Sequence, residues 1–359
     1  MERTKMKILY FGPIAERGKA AIGGYEAANR KNIDKLRELG IYVVEYRNPK
    51  IINGLGALGK LVYIELLLKP FVLLPYIGQK NVVMHITPLY RSLAWPSFLT
   101  VKVAQWFRIP RVVDLRAGSF IYYYNTKGRL YRWLMRRLVK SASAVTVEGT
   151  AYLREIPKHI STKKNIYYFP NVVDCSSLQY LNRDEKKINL FYFGRITKSK
   201  GSDIIFDVIE QLNDHYHLFL AGNIAADIDK TRLENNKITY LGVLTPAQLK
   251  EEQKRMHFFI FPTKHIGEGQ SNSLIEAMAN GIIPVVSDQG FNCEVVKDCG
   301  VVLSQSSTAK DYMDAIEDIV ESGKMVELGK QCVAHIFKSH NLDIEVRKII
   351  ELYKKIICQ

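Results

Sequence analysis

The sequence predicts an α/β chain of two doubly wound parallel sheets, one in each half. Three observations predict it. Short runs rich in Val, Ile, Phe and Tyr alternate with helical stretches of about ten residues, the grammar of βαβ units. The alternation breaks near residues 170–187 and starts afresh at residue 189. A chain of 359 residues is also too long for one ordinary core and suits two domains.

Taken in order, residues 7–11 form the first strand, a loop holding Gly23-Gly24 follows, and a helix runs to Leu39, where Gly40 ends it. Residues 41–46, 82–85 and 111–115 are further strands, and 144–147 closes the set after a basic helix at 129–140. The second series reads as strand 189–193, helix 202–212, strands 217–221 and 238–241, helix 246–255, strand 258–261, helix 273–280 and strand 283–287. The domains are therefore expected at residues 1–170 and 171–340. In open parallel sheets ligands lie beyond the carboxyl ends of the strands, which directs attention to the residues just after each strand.

Composition excludes several classes. With 47% hydrophobic and 24% charged residues the chain is globular, neither disordered nor fibrous. Its five cysteines make no CxxC and no Cys/His cluster, which implies a reducing compartment. The charged residues 1–7 run straight into an apolar strand, so no signal peptide is expected and the location reads as cytoplasmic. The most apolar stretch, residues 55–77, is interrupted by Lys60, Glu65 and Lys69 and broken by Pro70 and Pro75. A spanning helix needs ~20 nearly uninterrupted apolar residues, so the stretch reads as a buried or interfacial helix.

The net charge of +15 divides unevenly. Residues 1–170 carry 29 Lys and Arg against 10 Asp and Glu, or +19; the remainder carries 22 against 26, or −4. A basic half beside a slightly acidic one implies that the first half meets something anionic, with phospholipid headgroups, lipid-linked phosphates and nucleic acid all qualifying. The helix at 129–140 is basic on one side and apolar on another, and holds Arg129, Arg132, Arg136 and Arg137 beside Trp133. It reads either as a surface helix with its stripe in the core or as a membrane-surface element, because Arg with Trp and Leu suits the headgroup region. No nucleic-acid-binding module is recognisable.

Chemistry concentrates in the second half. After the strand at 189–193 come Gly194-Arg195 and Lys200-Gly201, then a helix. Gly194 permits a sharp turn, and two cations near a helix N-terminus suit a diphosphate; a solvated basic loop is the alternative. The strand at 258–261 is followed by a loop with Glu268-Gly269 and then a helix that Gly281 stops. Gly269 lets the backbone approach a ligand, and the amides near Ser271, Asn272 and Ser273 face an anion. Ser273-x-x-Glu276 also has the form of a capping box, which would make Glu276 a helix cap; Glu268 has no such structural duty.

This segment resembles the retaining glycosyltransferases of family 4, of GT-B fold, whose signature is two glutamates separated by seven residues. The likeness includes Glu276-Ala277-Met278-Ala279-x-Gly281 and Pro284-Val285-Val286, the Gly194-Arg195 and Lys200-Gly201 pairs, and Pro170-Asn171-Val172-Val173-Asp174, which is similar to the family's interdomain element. The resemblance implies two Rossmann-like domains facing across a cleft, with residues 341–359 packing back on the first. Arg195 and Lys200 would hold the donor pyrophosphate, Glu276 the ribose hydroxyls and Glu268 the transferred sugar. Asn272 and Ser273 would offer amides to that sugar or to the phosphates. Many members read Glu-Gly-Phe-Gly where this chain has Glu268-Gly269-Gln270-Ser271.

Toward the N-terminus, Gly23-Gly24 falls where the family has a glycine-rich loop reaching over the donor toward the acceptor. Arg116 stands where many members place a histidine near the reacting sugar, and His85, after the previous strand, is the other candidate for that role. Asp227-Ile228-Asp229 matches the metal-binding pair of GT-A transferases, but lies in a polar run that reads as a solvated loop; no metal and no cofactor are expected. The expected partners are a nucleotide-sugar donor, a lipid-linked saccharide acceptor and an anionic membrane surface, without nucleic acid. The implied activity is transfer of a hexose-type sugar with retention in bacterial surface polysaccharide biosynthesis. A GT-B nucleotide-sugar epimerase, or a non-catalytic basic protein binding membrane or nucleic acid, are the alternatives.

Overall fold

The computed structural model describes residues 6–18, 23–49, 56–90, 93–160 and 165–358, with side chains from residue 61 onward in the second helix. Residues 1–5 of the charged N-terminal stretch and Leu55 at the head of the apolar one lie outside the described residues. The chain forms two units: Met1–Pro170 together with Leu342–Gln359, and Asn171–Asn341.

The first unit carries β1 (Lys7–Gly12), β2 (Tyr42–Arg47), β3 (Val82–Ile86), β4 (Arg111–Leu115), β5 (Ala144–Val147) and β6 (Ile166–Tyr168). They form one sheet in the order β2-β1-β3-β4-β5-β6, all parallel. The second unit carries β7 (Ile188–Phe193), β8 (Tyr216–Ala221), β9 (Ile238–Tyr240), β10 (Phe258–Phe261), β11 (Ile283–Ser287) and β12 (Val301–Leu303). Their order is β12-β11-β10-β7-β8-β9, again parallel throughout. Both units are Rossmann-like, and the chain has the predicted α/β fold.

Each sheet reverses direction once. From β7 the chain winds outward through β8 and β9, then returns to lay β10 on the other side of β7. The crevice between β7 and β10 is therefore a topological switch point, the place where such sheets bind ligands. Fully buried strand residues hold it: Phe191, Phe258 and Phe259 have no exposed surface, and Tyr192 stacks on Phe259. Two strands escaped the sequence reading. β6 and β12 are three residues long at sheet edges and only partly buried, so they show neither an apolar run nor a period of two.

In the first unit the C-terminal helix Leu342–Ile357 buries Val346, Ile349, Tyr353 and Ile356 among Ile8, Tyr10, Ile33 and Leu36. Tyr353 also reaches the sheet through a hydrogen bond of 2.7 Å between its hydroxyl and His85 Nδ1 on β3. The apolar stretch becomes the helix Gly56–Leu68 and a 3₁₀ turn at Lys69–Tyr76. Of this stretch, Leu66, Pro70 and Leu73 are buried, whereas Leu61, Ile64, Leu68, Phe71, Leu74 and Ile77 are exposed. Among the described residues no helix is long and apolar enough to cross a membrane.

His85 Nε2 lies 3.3 Å from Asp114 Oδ2. Burial pushes the Asp114 carboxyl upward, but Arg116 and His85 beside it win and hold it at about 2. An ionised Asp114 accepts from Nε2–H, which leaves Nδ1 as the acceptor of the Tyr353 proton. Tyr353→Phe thus strands a buried Nδ1 and is expected to cost about 1–3 kcal/mol, read as a lowered thermal unfolding midpoint. An unchanged midpoint would show that the hydrogen bond contributes nothing.

Candidate functional site

The loop after β7 is shaped by glycines that nothing else could replace. Gly194 sits at φ 138° and Gly201 at φ 82°, both in the region that disfavours a side chain. A Cβ at Gly201 would overlap the Pro262 carbonyl at the end of β10, so the two loops meet backbone to backbone. Lys264 N–H donates to the Ser199 carbonyl at 2.9 Å across the same seam. Thr197 caps the turn Lys198–Lys200 by accepting from Lys200 N–H, and the helix Ser202–Gln211 follows at once. This construction aims Lys200 at the β10 loop.

There Lys200 Nζ forms an ion pair with Glu268 Oε2, and the Thr263 hydroxyl donates to the same oxygen at 3.3 Å. Lys200 also lies over the Phe261 ring, 5.4 Å from its centroid. Glu268 is 7% exposed, so its charge is largely withdrawn from water and needs these partners. Arg195 is exposed at the end of the turn, and its guanidinium pairs with no carboxylate among the described residues. The structure thus brings Lys200 and Glu268 into contact, and leaves Arg195 open to an anion.

The helix Asn272–Ala279 begins at the far end of this loop. Its N-cap is Ser271, whose hydroxyl accepts from Leu274 N–H. Ser273 therefore lies inside the first turn, bonded to the Ser271 hydroxyl at 2.9 Å, and the expected Ser273–Glu276 capping box does not form. Glu276 is half-buried in the body of the helix. The departure at Gln270 has a local reason. Its side-chain oxygen accepts from Asn171 N–H at 2.9 Å, and its carbonyl accepts from Asn171 Nδ2 at 2.7 Å. A phenylalanine there could not make the first of these bonds.

Two residues of this loop went unremarked in the sequence. Thr263 orients Glu268, and His265 is held between them, its carbonyl accepting from Glu268 N–H at 2.9 Å. Burial, and then the positive charge of Lys200, push the His265 imidazole below its usual range, so it is neutral at pH 7. Their position directly after β10 was the available signal.

The metal-like pair has ordinary work. Asp227 accepts from Lys198 N–H at 3.1 Å, and Asp229 caps the turn Lys230–Glu234 by accepting from Thr231 N–H and its hydroxyl. Among the described residues no three His, Cys, Asp or Glu gather as metal ligands.

In the first unit, Gly23 is the N-cap of the helix Gly24–Glu38, and both glycines are exposed. Gly23 has extended backbone, with nothing within 4 Å of a Cβ placed on it. Arg116 and His85, the two residues expected near a reacting sugar, are both 0% exposed. Arg116 Nε donates to Asp114 Oδ2 at 2.5 Å and its guanidinium lies over Phe169, while His85 is bonded on both ring nitrogens. A charge buried this deeply needs a counter-charge, and Asp114 supplies it. The helix Arg129–Ser141 buries Leu134, Met135, Leu138 and Val139 and turns Arg129, Arg136 and Arg137 outward, with Arg132 half-buried.

Residues 177–334 match the family model of the glycosyl transferases group 1. The chain has no match among curated proteins. Among solved structures it is similar to a sucrose-phosphate synthase from Thermosynechococcus elongatus, with a TM-score of 0.75 and 16% identity over 99% of this chain and 100% of that one. It is also similar to Anabaena Alr3699/HepE in complex with UDP, with a TM-score of 0.74 and 14% identity over 98% and 100% of the two chains. A glycosyltransferase from Rickettsia africae gives a TM-score of 0.67 and 16% identity over 99% of each chain. These likenesses establish the two-unit GT-B fold.

The Lys200–Glu268 pair can be weighed by a double-mutant cycle. Lys200→Ala and Glu268→Ala are each expected to destabilise the chain, and the double variant by less than their sum, with a coupling of about 1 kcal/mol or more in denaturant unfolding. Additive effects would mean that the two charges do not interact.

Proposed function

We propose that the chain is a retaining, metal-independent glycosyltransferase of family 4, moving a hexose-type sugar from a nucleotide-sugar to a lipid-linked saccharide in bacterial surface polysaccharide biosynthesis. The observation that carries this reading is the Lys200–Glu268 pair at the switch point between β7 and β10, inside the segment that matches the group 1 family model. The structural neighbour HepE, solved with UDP and with UDP-glucose, supports a nucleotide-sugar as the donor.

Without donor, Glu268 balances the charge of Lys200. A diphosphate competes for that ammonium with two phosphoryl groups, and Arg195 meets it without having to break an ion pair. Release of Glu268 frees its carboxylate to accept hydroxyl hydrogens of the sugar. Glu276, one turn into its helix, would accept from the ribose hydroxyls. In the transfer, the bond from the anomeric carbon to the diphosphate breaks and the bond to the acceptor oxygen forms on the same face. The acceptor proton passes to the departing phosphate oxygen. Arg195 and Lys200 act chiefly on the charge that builds on that leaving group, where a fixed cation is worth most. This scheme asks for no metal.

The lipid-linked acceptor rests on the first unit. Its residues 61–77 expose six large apolar side chains beside a strongly basic composition, the pairing that suits the interface of an anionic bilayer. The location proposed is the cytoplasmic face of the membrane.

Arg195→Ala and Lys200→Ala are each expected to lower turnover ~10²-fold or more, followed as nucleotide release from a panel of UDP-, GDP- and ADP-sugars. Activity should persist in EDTA and in the Asp227→Asn, Asp229→Asn double variant. Full activity in both cation variants, or loss with EDTA, would overturn the mechanism. For the membrane, the protein is expected to co-sediment with anionic vesicles and not neutral ones. Ile64→Ser with Phe71→Ser should weaken that binding and leave nucleotide release intact; equal binding by wild type and variant would remove the apolar face from the account.

A further inference from the structure

A cavity of about 450 Å³ opens in the first unit among the helices Phe120–Thr126, Arg129–Ser141 and Ala151–Ile160. Its lining joins Arg129, Arg132, Arg136 and Lys158 to the rings of Tyr124 and Trp133. The three arginines recur at i, i+3 and i+7, which places them on one side of their helix while Leu134 and Leu138 pack inward. Lys158 enters from the last turn of the third helix.

The cations are arranged, not merely present. Arg136 Nε donates to the Tyr124 hydroxyl, Nη2 donates to the His159 carbonyl at 3.5 Å, and the guanidinium lies over the Tyr124 ring at 5.8 Å. Tyr124 is 3% exposed and its hydroxyl donates to the His159 carbonyl at 2.9 Å. Trp133 is steadied on its other side by Trp95 and Phe98, at 6.3 and 5.8 Å between ring centres. Glu155 lies one turn before His159 on the same helix, its Oε2 3.3 Å from His159 Nε2. Among the described residues no carboxylate pairs with Arg129, Arg132, Arg136 or Lys158. Four like charges thus converge on one opening with no carboxylate paired to any of them, a repulsion that a bound anion relieves.

We propose that this cavity is an anion site that takes a phosphate monoester or diphosphate carrying a further organic group. Planar guanidinium forks match phosphate oxygens, and several of them together call for more than one negative charge. The volume falls within the ~300–1,000 Å³ of small-molecule sites, so it exceeds what a bare phosphate fills. Trp133, 45% exposed, offers a face for the attached group. The site belongs to the first unit and does not rest on the transferase reading of the second. The phosphate can be borne by a lipid or by a soluble metabolite, and the two sources are separable.

The test titrates the full chain with inorganic pyrophosphate by calorimetry at physiological salt, where exposed charges farther apart than about 8 Å are screened. Wild type is compared with an Arg129→Gln, Arg132→Gln, Lys158→Gln triple variant, with Arg132→Glu alone, and with Lys200→Gln, which marks the β7–β10 site. Two classes of binding are expected, one weakened at least ~10-fold in the triple variant and in Arg132→Glu, the other weakened in Lys200→Gln. Pyrophosphate binding in the triple variant indistinguishable from wild type would overturn the proposal. A second arm measures binding to phosphatidylcholine vesicles with and without phosphatidic acid. Loss of the phosphatidic-acid increment in the triple variant, with competition by pyrophosphate, supports a lipid-borne phosphate. An unchanged increment beside lost pyrophosphate binding supports a soluble one.

Discussion

Everything in the second unit's site depends on two loops being allowed to touch. Gly201 leaves no side chain between its backbone and the Pro262 carbonyl, and Gly222 does the same for Gly194, so the turns after β7, β8 and β10 lie directly on one another. Only at that separation can Lys200, on the first of these turns, pair with Glu268 on the last. The positive φ angles of Gly194, Gly201 and Gly222 make this a constraint on residue type as well as on space. The charges are thus a consequence of the backbone geometry. A cation and a carboxylate brought together in a partly dry crevice each depend on the other for a counter-charge.

The first unit treats charge in the opposite way. At its centre Asp114 takes hydrogen bonds from His85, Arg116 and Thr146, and Tyr353 closes the network from the C-terminal helix. All of these groups are withdrawn from water. A buried network of this kind fixes a structure, since removing any member leaves another stranded. It also ties residues nearly the whole length of the chain apart in sequence. The Tyr353–His85 bond is one reason that the final helix belongs to the first unit and not to the unit it follows.

These differences explain what the sequence revealed. The second unit's motifs were legible because their residue types are forced: glycine where backbones meet, cations before a helix, an acid in a loop with no cap to serve. The capping-box pattern at Ser273 and Glu276 misled because Ser271, two residues earlier, offers the same hydroxyl and is the one that takes the helix N-terminus. The burial of Arg116 and His85 was hidden for a different reason. A residue after a strand in such a sheet can face a ligand or turn into the core, and only their partners decide it. Asp114 stands two residues before Arg116, but Tyr353 and Phe169 lie far away in sequence and leave no local mark. The edge strands β6 and β12 were lost because three residues cannot display a period.

The charge split between the halves overstates what is available in the first unit. Glu45 alone engages Arg30, Arg37 and Arg47, and although burial raises its carboxyl, these three hold it at about 2. Arg116 is spoken for by Asp114, and Lys69 by the Arg47 carbonyl and Asn48. None of these cations can answer an outside anion without unmaking a contact of the fold. Arg129, Arg132, Arg136 and Lys158, by contrast, pair with no carboxylate among the described residues and line one cavity beside Tyr124 and Trp133. A net charge says only that a partner is anionic; the cations left over after internal pairing say where it can bind.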